Sequence, residues 1–126
     1  GIFRSYNGKP AIGMALVNLD GSLDQTFTAK TFEGGYPRFA RQLNDGLIVV
    51  SGSFKKYNNV TRNGFMVLNT KGELAGNYNT TGPFSGALYD IIETKSTDGK
   101  RALLLIGSFY RFDNTPVSNI IRVTIE

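Results

Sequence analysis

The chain has 126 residues, of which 40% are hydrophobic, 19% charged and 12% aromatic, so it can bury the core of one domain and is not a disordered tail. Cys and His are both absent, which excludes disulfides, thiolate nucleophiles, Cys/His zinc sites and Ser-His-Asp or Cys-His catalytic groupings. The net charge is +4, but its densest clusters are only the pairs Lys55-Lys56 and Lys100-Arg101; a nucleic-acid footprint is normally a patch or stripe, and none is expected here.

In chain order, Gly1-Ile2-Phe3 is followed by Tyr6-Asn7, then by the apolar stretch Met14-Ala15-Leu16-Val17-Asn18 and the turn Asn18-Leu19-Asp20-Gly21. Tyr36 to Leu43 reads as a strand ending at Asn44-Asp45-Gly46, and Leu47-Ile48-Val49-Val50 is a continuous apolar run of the kind buried on both faces. Gly52-Ser53-Phe54 then repeats the opening phrase, with Tyr57-Asn58 after it, Phe65-Met66-Val67-Leu68 as a further strand and Asn69-Thr70-Lys71-Gly72 as its turn. Tyr89 to Thr94 and Leu103-Leu104-Leu105-Ile106 form the next pair of strands around Asp98-Gly99, before a third copy, Gly107-Ser108-Phe109, and Ile120-Ile121-Arg122-Val123-Thr124. No window sustains helical spacing without an interrupting Gly, Pro or Asn-Gly pair.

The three Gly-x-Phe phrases lie 51 and 55 residues apart, and the segments after them align. An all-β unit of about four strands repeating every ~50 residues describes a propeller blade, because one such sheet cannot cover its own faces and must stack on its neighbours. The expected fold is a partial β-propeller of about two and a half antiparallel blades, with repeats at 1–51, 52–106 and, in part, 107–126. Fewer than the usual ~4–8 blades, and a first residue other than Met, suggest a fragment of a longer chain whose partners include neighbouring blades of the same or another chain. The Gly of each phrase is expected to permit unusual backbone, and the Phe to pack between blades.

Gly52-Ser53-Phe54, Tyr57-Asn58 and Asn63-Gly64-Phe65-Met66-Val67-Leu68-Asn69 resemble the delta-60 repeat, an uncharacterised bacterial β-propeller repeat. The clearest signature is Asn18-Leu19-Asp20-Gly21-Ser22-Leu23-Asp24-Gln25-Thr26-Phe27; the second repeat departs from it at Lys71 and Ala75. The resemblance implies a secreted or cell-envelope protein and assigns no catalytic residues.

Within that frame, Asn18, Asp20, Ser22 and Asp24 have the oxygen spacing with which a Ca²⁺ loop begins, although the distal Glu of an EF-hand is lacking and an Asp-Gly hairpin accounts for the same residues. Ca²⁺ is therefore the one cofactor to test. Tyr57, Asn58 and Tyr110, in or near the loops after the Gly-x-Phe phrases, could stack on a sugar and hydrogen-bond its hydroxyls, while Tyr57 equally reads as a packing residue set by the repeat. Asp90, Glu93, Asp98 and Asp113 are the carboxylates from which a glycosidase pair would be drawn; no spacing selects one, and Glu93 reads as facing solvent. The expected function is a non-enzymatic scaffold binding protein or glycan. A glycan-acting enzyme and a basic-surface binder of nucleic acid or acidic polymer are the alternatives. No apolar run approaches the ~20 residues of a membrane-spanning helix.

Overall fold

The structure, a computed structural model, describes residues 1–125. The described residues form strands β1 (Ser5–Tyr6), β2 (Lys9–Pro10), β3 (Phe32–Glu33), β4 (Pro37–Gln42), β5 (Ile48–Gly52), β6 (Lys56–Tyr57), β7 (Val60–Thr61), β8 (Phe65–Leu68), β9 (Phe84–Lys95), β10 (Arg101–Phe112), β11 (Thr115–Pro116) and β12 (Ile120–Thr124), with one 3₁₀ turn at Gly76–Tyr78. β4, β5 and β8 make one antiparallel blade and β9, β10 and β12 the next, so each blade takes two strands that begin before its Gly-x-Phe phrase and one after it; the first, second and third repeats below are these structural units, residues 1–33, 34–81 and 82–125. The fourth strand position of the blade is reduced to a single bridge, Leu68 to Leu74, and the first repeat has the same bridge from Val17 to Leu23. Residues 14–18, which match β8, form no ladder, because no segment matching β5 precedes them in this sequence.

The different repeat spacings have a simple structural cause. The β9–β10 hairpin carries two extra rungs, Thr94 opposite Ala102 and Lys95 opposite Arg101, that the β4–β5 hairpin lacks.

Burial follows the period of the strands. On β5 and β8, Ile48, Val50, Met66 and Leu68 pack toward the first repeat with Phe27, Phe54 and Tyr57. Their neighbours Val49, Phe65 and Val67 pack on the other face with Leu88, Ile91, Leu103, Leu105 and Phe109 of the third repeat. This sheet is covered on both sides, which explains why its strands read as unbroken apolar runs rather than alternating ones. The Gly-x-Phe phenylalanines keep one environment: Phe54 is 1% exposed and Phe109 3% exposed, each facing the preceding repeat, whereas Phe3 has no repeat before it in this sequence and is 41% exposed. Phe54 stacks edge-on against Phe32, and Phe109 against Phe84, with centroids 5.3 and 5.4 Å apart.

The glycine of that phrase works differently from the expectation. Gly52 and Gly107 do not have positive φ. Each faces a β-bulge on the adjoining strand, at Pro37/Phe39 and at the step opposite Ile106/Gly107, and the bulged backbone comes too close for a side chain.

Candidate functional site

The Tyr-Asn segments after each Gly-x-Phe are tight hairpin turns. Asn7-Gly8, Asn58-Asn59 and Asp113-Asn114 all have positive φ at both central positions, the conformation that a two-residue hairpin of this hand requires and that Asn and Gly tolerate. The backbone of Asn58 is thus set by the turn, and its side chain is exposed. Tyr57 is the packing residue of its two sequence readings and no ligand platform: it is 0% exposed, and its ring packs in the layer between the first and second repeats. Its hydroxyl accepts a hydrogen bond from the Lys30 N–H at 2.8 Å and donates to the Gly72 carbonyl. Burial pushes the phenol's pKa up, despite the stabilising Lys30 N–H. Tyr6 repeats the second contact, donating to the Gly21 carbonyl at 2.8 Å.

The Ca²⁺-like loop resolves into the same turn chemistry. Asp20 Oδ1 accepts from the Ser22 N–H at 2.9 Å and the Ser22 hydroxyl at 2.6 Å, Asn18 Nδ2 donates to Ser22 Oγ at 3.0 Å, and Asp24 is occupied separately by the N–H and hydroxyl of Thr26. These hydrogen bonds, the hydroxyl of Ser22 or Thr26 first, hold both carboxyls below the usual aspartate range. Three other loops close identically, with backbone pairs Asn69–Glu73, Leu43–Leu47 and Ser96–Lys100 like Asn18–Ser22, and with positive φ at Gly72, Gly46 and Gly99 like Gly21. One of them forms with Lys71 where Asp20 stands. Asn18, Asp20 and Ser22 thus meet through their own hydrogen bonds while Asp24 is engaged with Thr26, and among the described residues no group of three or more acidic side chains is placed to hold a metal ion.

The four candidate catalytic carboxylates are separately engaged. Arg41 Nη2 donates to Asp90 Oδ1 at 2.7 Å; the Asn44 N–H donates to Glu93 Oε2 at 2.9 Å; Asp98 is bound by the Ser96 hydroxyl; the Gly82 N–H donates to Asp113 Oδ1 at 2.7 Å. Glu93 therefore does not simply face solvent. With Arg41–Asp90 and Arg101–Asp45 at 2.8 Å, it belongs to a polar belt clamping the second repeat to the third.

Tyr110 is 67% exposed and lines a groove of about 400 Å³ at the junction of the second and third repeats, together with Ser53, Lys55, Asn63, Ser85 and the glycines Gly52, Gly64 and Gly86. Tyr110 occupies the repeat position of Lys55 and Arg4: the hydrogen bond from the Val117 N–H to its carbonyl matches those from Arg62 to Lys55 and from Ala11 to Arg4. An equivalent groove of about 420 Å³ lies one repeat earlier, lined by Phe3, Arg4, Ile12, Phe32 and Tyr36. The Tyr110 groove thus brings together an exposed tyrosine, a lysine, two serines and an asparagine, the Ser53 hydroxyl also accepting from the Tyr36 N–H at 3.0 Å. Sequence reasoning singled out Tyr110 but missed Ser53, Lys55, Asn63 and Ser85, which are distant in the chain and meet only because the repeats stack.

Arg62 was likewise missed. It is 5% exposed and replaces the Ala11 and Val117 of the other repeats; its Nη1 donates to the carbonyls of Asn79 at 2.8 Å and Thr81 at 3.2 Å. Burial lowers its pKa. The break in the repeat was the available signal.

Over residues 1–27 and 43–74 the chain matches the family model described as a domain of unknown function (DUF5122) β-propeller. No curated protein and no solved structure matches it. The two-faced blade, the recurring Phe layer and this match together make the molecule a run of β-propeller repeats.

Proposed function

We propose that the chain is a non-enzymatic scaffold whose Tyr110 groove binds a glycan carrying a carboxylate. The observation that carries this reading is the placement of an open tyrosine ring beside Lys55, Ser53, Asn63 and Ser85 at a junction of repeats. A pyranose ring stacks its C–H face on tyrosine, hydroxyl and amide groups satisfy its hydroxyls, and an ammonium pairs with a uronate. The separate engagement of Asp90, Glu93, Asp98 and Asp113 supports a binding rather than a hydrolytic role. Arg41 and Arg101 are tied to carboxylates and Arg62 is buried, which disfavours a nucleic-acid surface. The delta-60 assignment and an envelope or secreted location belong to the same proposal.

Calorimetric titration with an oligouronate and with its neutral counterpart tests it. Saturable binding that Tyr110→Ala weakens about tenfold, ~1.4 kcal/mol, supports the reading. Lys55→Ala is expected to reduce only the oligouronate affinity. Absence of saturable binding to either sugar, or binding indifferent to Tyr110→Ala, contradicts it.

A further inference from the structure

We propose that the Tyr110 groove has a second carboxylate-binding subsite at Arg38, so that its ligand is an oligouronate presenting one carboxylate to Lys55 and another to Arg38. The inference rests on the glycan-binding reading of that groove and adds the charge pattern the groove selects. Beside the groove lies a smaller cavity of about 90 Å³, lined by Arg38, Phe39, Ser51 and Leu88, and the two share Gly52, Ser53 and Gly86. They are adjoining parts of one cleft at the junction of the second and third repeats. The smaller part is well below the ~300 Å³ of a ligand pocket, so it admits a substituent such as a carboxylate rather than a further sugar ring.

The strand geometry puts Arg38 there. Pro37 pairs with Gly52 and Phe39 with Ser51, which leaves Arg38 as the extra residue of the β4 bulge, without a rung of its own. A bulge takes its extra residue out of the ladder and re-aims the side chain. The backbone nitrogen of Arg38 lies 2.9 Å from the β-carbon position of Gly52, one of the residues the two cavities share. The fold needs the bulge but not an arginine in it. Tyr89 is the extra residue of the matching β9 bulge, between Leu88 and Asp90, and is 66% exposed.

Arg41 and Arg101 form ion pairs and Arg62 binds backbone carbonyls, but the exposed guanidinium of Arg38 has no ion-pair or hydrogen-bond partner among the described residues. The cleft is lined by Arg38 and Lys55 and, among the described residues, by no Asp or Glu. Two cations with no carboxylate between them to balance the charge favour a ligand with two negative groups over a neutral or singly charged one. The guanidinium's paired donors match a carboxylate's two oxygens, and the Lys55 ammonium supplies a point charge for the other.

The test is calorimetric titration of the full chain with trigalacturonate and with its fully methyl-esterified form, for the wild type, Arg38→Ala and Tyr110→Ala. Circular dichroism checks the fold, and Arg38→Gln replaces Arg38→Ala if that variant unfolds. Arg38→Ala is expected to weaken trigalacturonate about tenfold, to make its binding less sensitive to salt, and to leave the affinity for the ester unchanged. Trigalacturonate binding that Tyr110→Ala weakens and Arg38→Ala does not overturns the subsite while the groove reading stands. An equal loss for acid and ester in Arg38→Ala also overturns the subsite, since Arg38 would then act by packing rather than by charge. No saturable binding of either form overturns the subsite and the groove reading together.

Discussion

The carbonyl oxygen of Tyr36 lies 2.2 Å from the point where a β-carbon on Gly52 would stand, and the carbonyl of Ala87 lies 2.1 Å from the same point on Gly107. The bulged strand thus presses its backbone onto the strand that carries the Gly-x-Phe phrase, and the phrase needs a residue with no side chain there. The phenylalanine two residues on is delivered into the layer between repeats by this close approach.

Gly52→Ala and Gly107→Ala are accordingly expected to destabilise the fold by about 3 kcal/mol each, the upper end of overpacking costs, because backbone rather than a flexible side chain must move. Gly76→Ala is the control. Nothing lies within 4 Å of its β-carbon position and its φ is not positive, so urea unfolding should show it unchanged or slightly stabilised.

Tyr57 and Phe112 hold the same repeat position, and only Tyr57 has a hydroxyl to hold the crossover at Lys30. Gly82 stands in the third repeat's junction where Lys30 stands in the second's; its N–H donates to Asp113 Oδ1 instead, and Arg62 grips the adjacent Thr81. Tyr57→Phe leaves the Lys30 N–H and the Gly72 carbonyl without this partner and should cost about 1–3 kcal/mol. Arg62→Met should cost a similar ~1–3 kcal/mol by freeing the carbonyls of Asn79 and Thr81, and Arg62→Lys should not rescue it, since a single ammonium cannot reproduce the guanidinium's spread of donors. Thermal and urea unfolding of the variants measure both.

The repeat, the strands and the phenylalanine layer were legible in the sequence because they depend on period and on recurring residue types. The site was not. Tyr57 reads in sequence both as a packing residue and as a loop-tip ligand, because sequence shows neither the positive φ of Asn58 nor the layer that closes over Tyr57. The companions of Tyr110 come from segments up to 57 residues away, Ser53 the farthest, and only the stacking of repeats brings them together. The polar belt depends on the two extra rungs of the β9–β10 hairpin, which carry Arg101 within reach of Asp45.

The Asp20 loop should ignore calcium. Millimolar Ca²⁺ or a chelator is expected to leave the melting temperature unchanged, and Asp20→Lys, which copies Lys71 of the second repeat, should fold normally with only the Asx hydrogen bonds lost. A melting temperature that rises with Ca²⁺ and loses that rise in Asp20→Lys would restore the metal reading.

Acidification should destabilise the fold. Burial opposes the charge on Asp45, but the Arg101 hydrogen bond and the Leu47 N–H outweigh it, so its folded pKa lies below the usual value; Asp98 is held down chiefly by the Ser96 hydroxyl. Between the lowered folded pKa and the ordinary value near ~4 the unfolded chain binds more protons, so stability is full above about pH 4 and falls as pH drops through the folded pKa values. Asp45→Asn should flatten part of this slope while lowering stability at neutral pH by less than about 1 kcal/mol, the scale of a partly exposed ion pair. Urea midpoints at stepped pH values check the sign.

Two-dimensional NOE spectroscopy of selectively ring-labelled phenylalanines tests the stacked-repeat account most directly. It should show Phe54 contacting Phe32 in one network and Phe109 contacting Phe84 in another, with the second blade's sheet between them and no cross-peak joining the two. Direct contacts between Phe54 and Phe109, in one shared core, would contradict it.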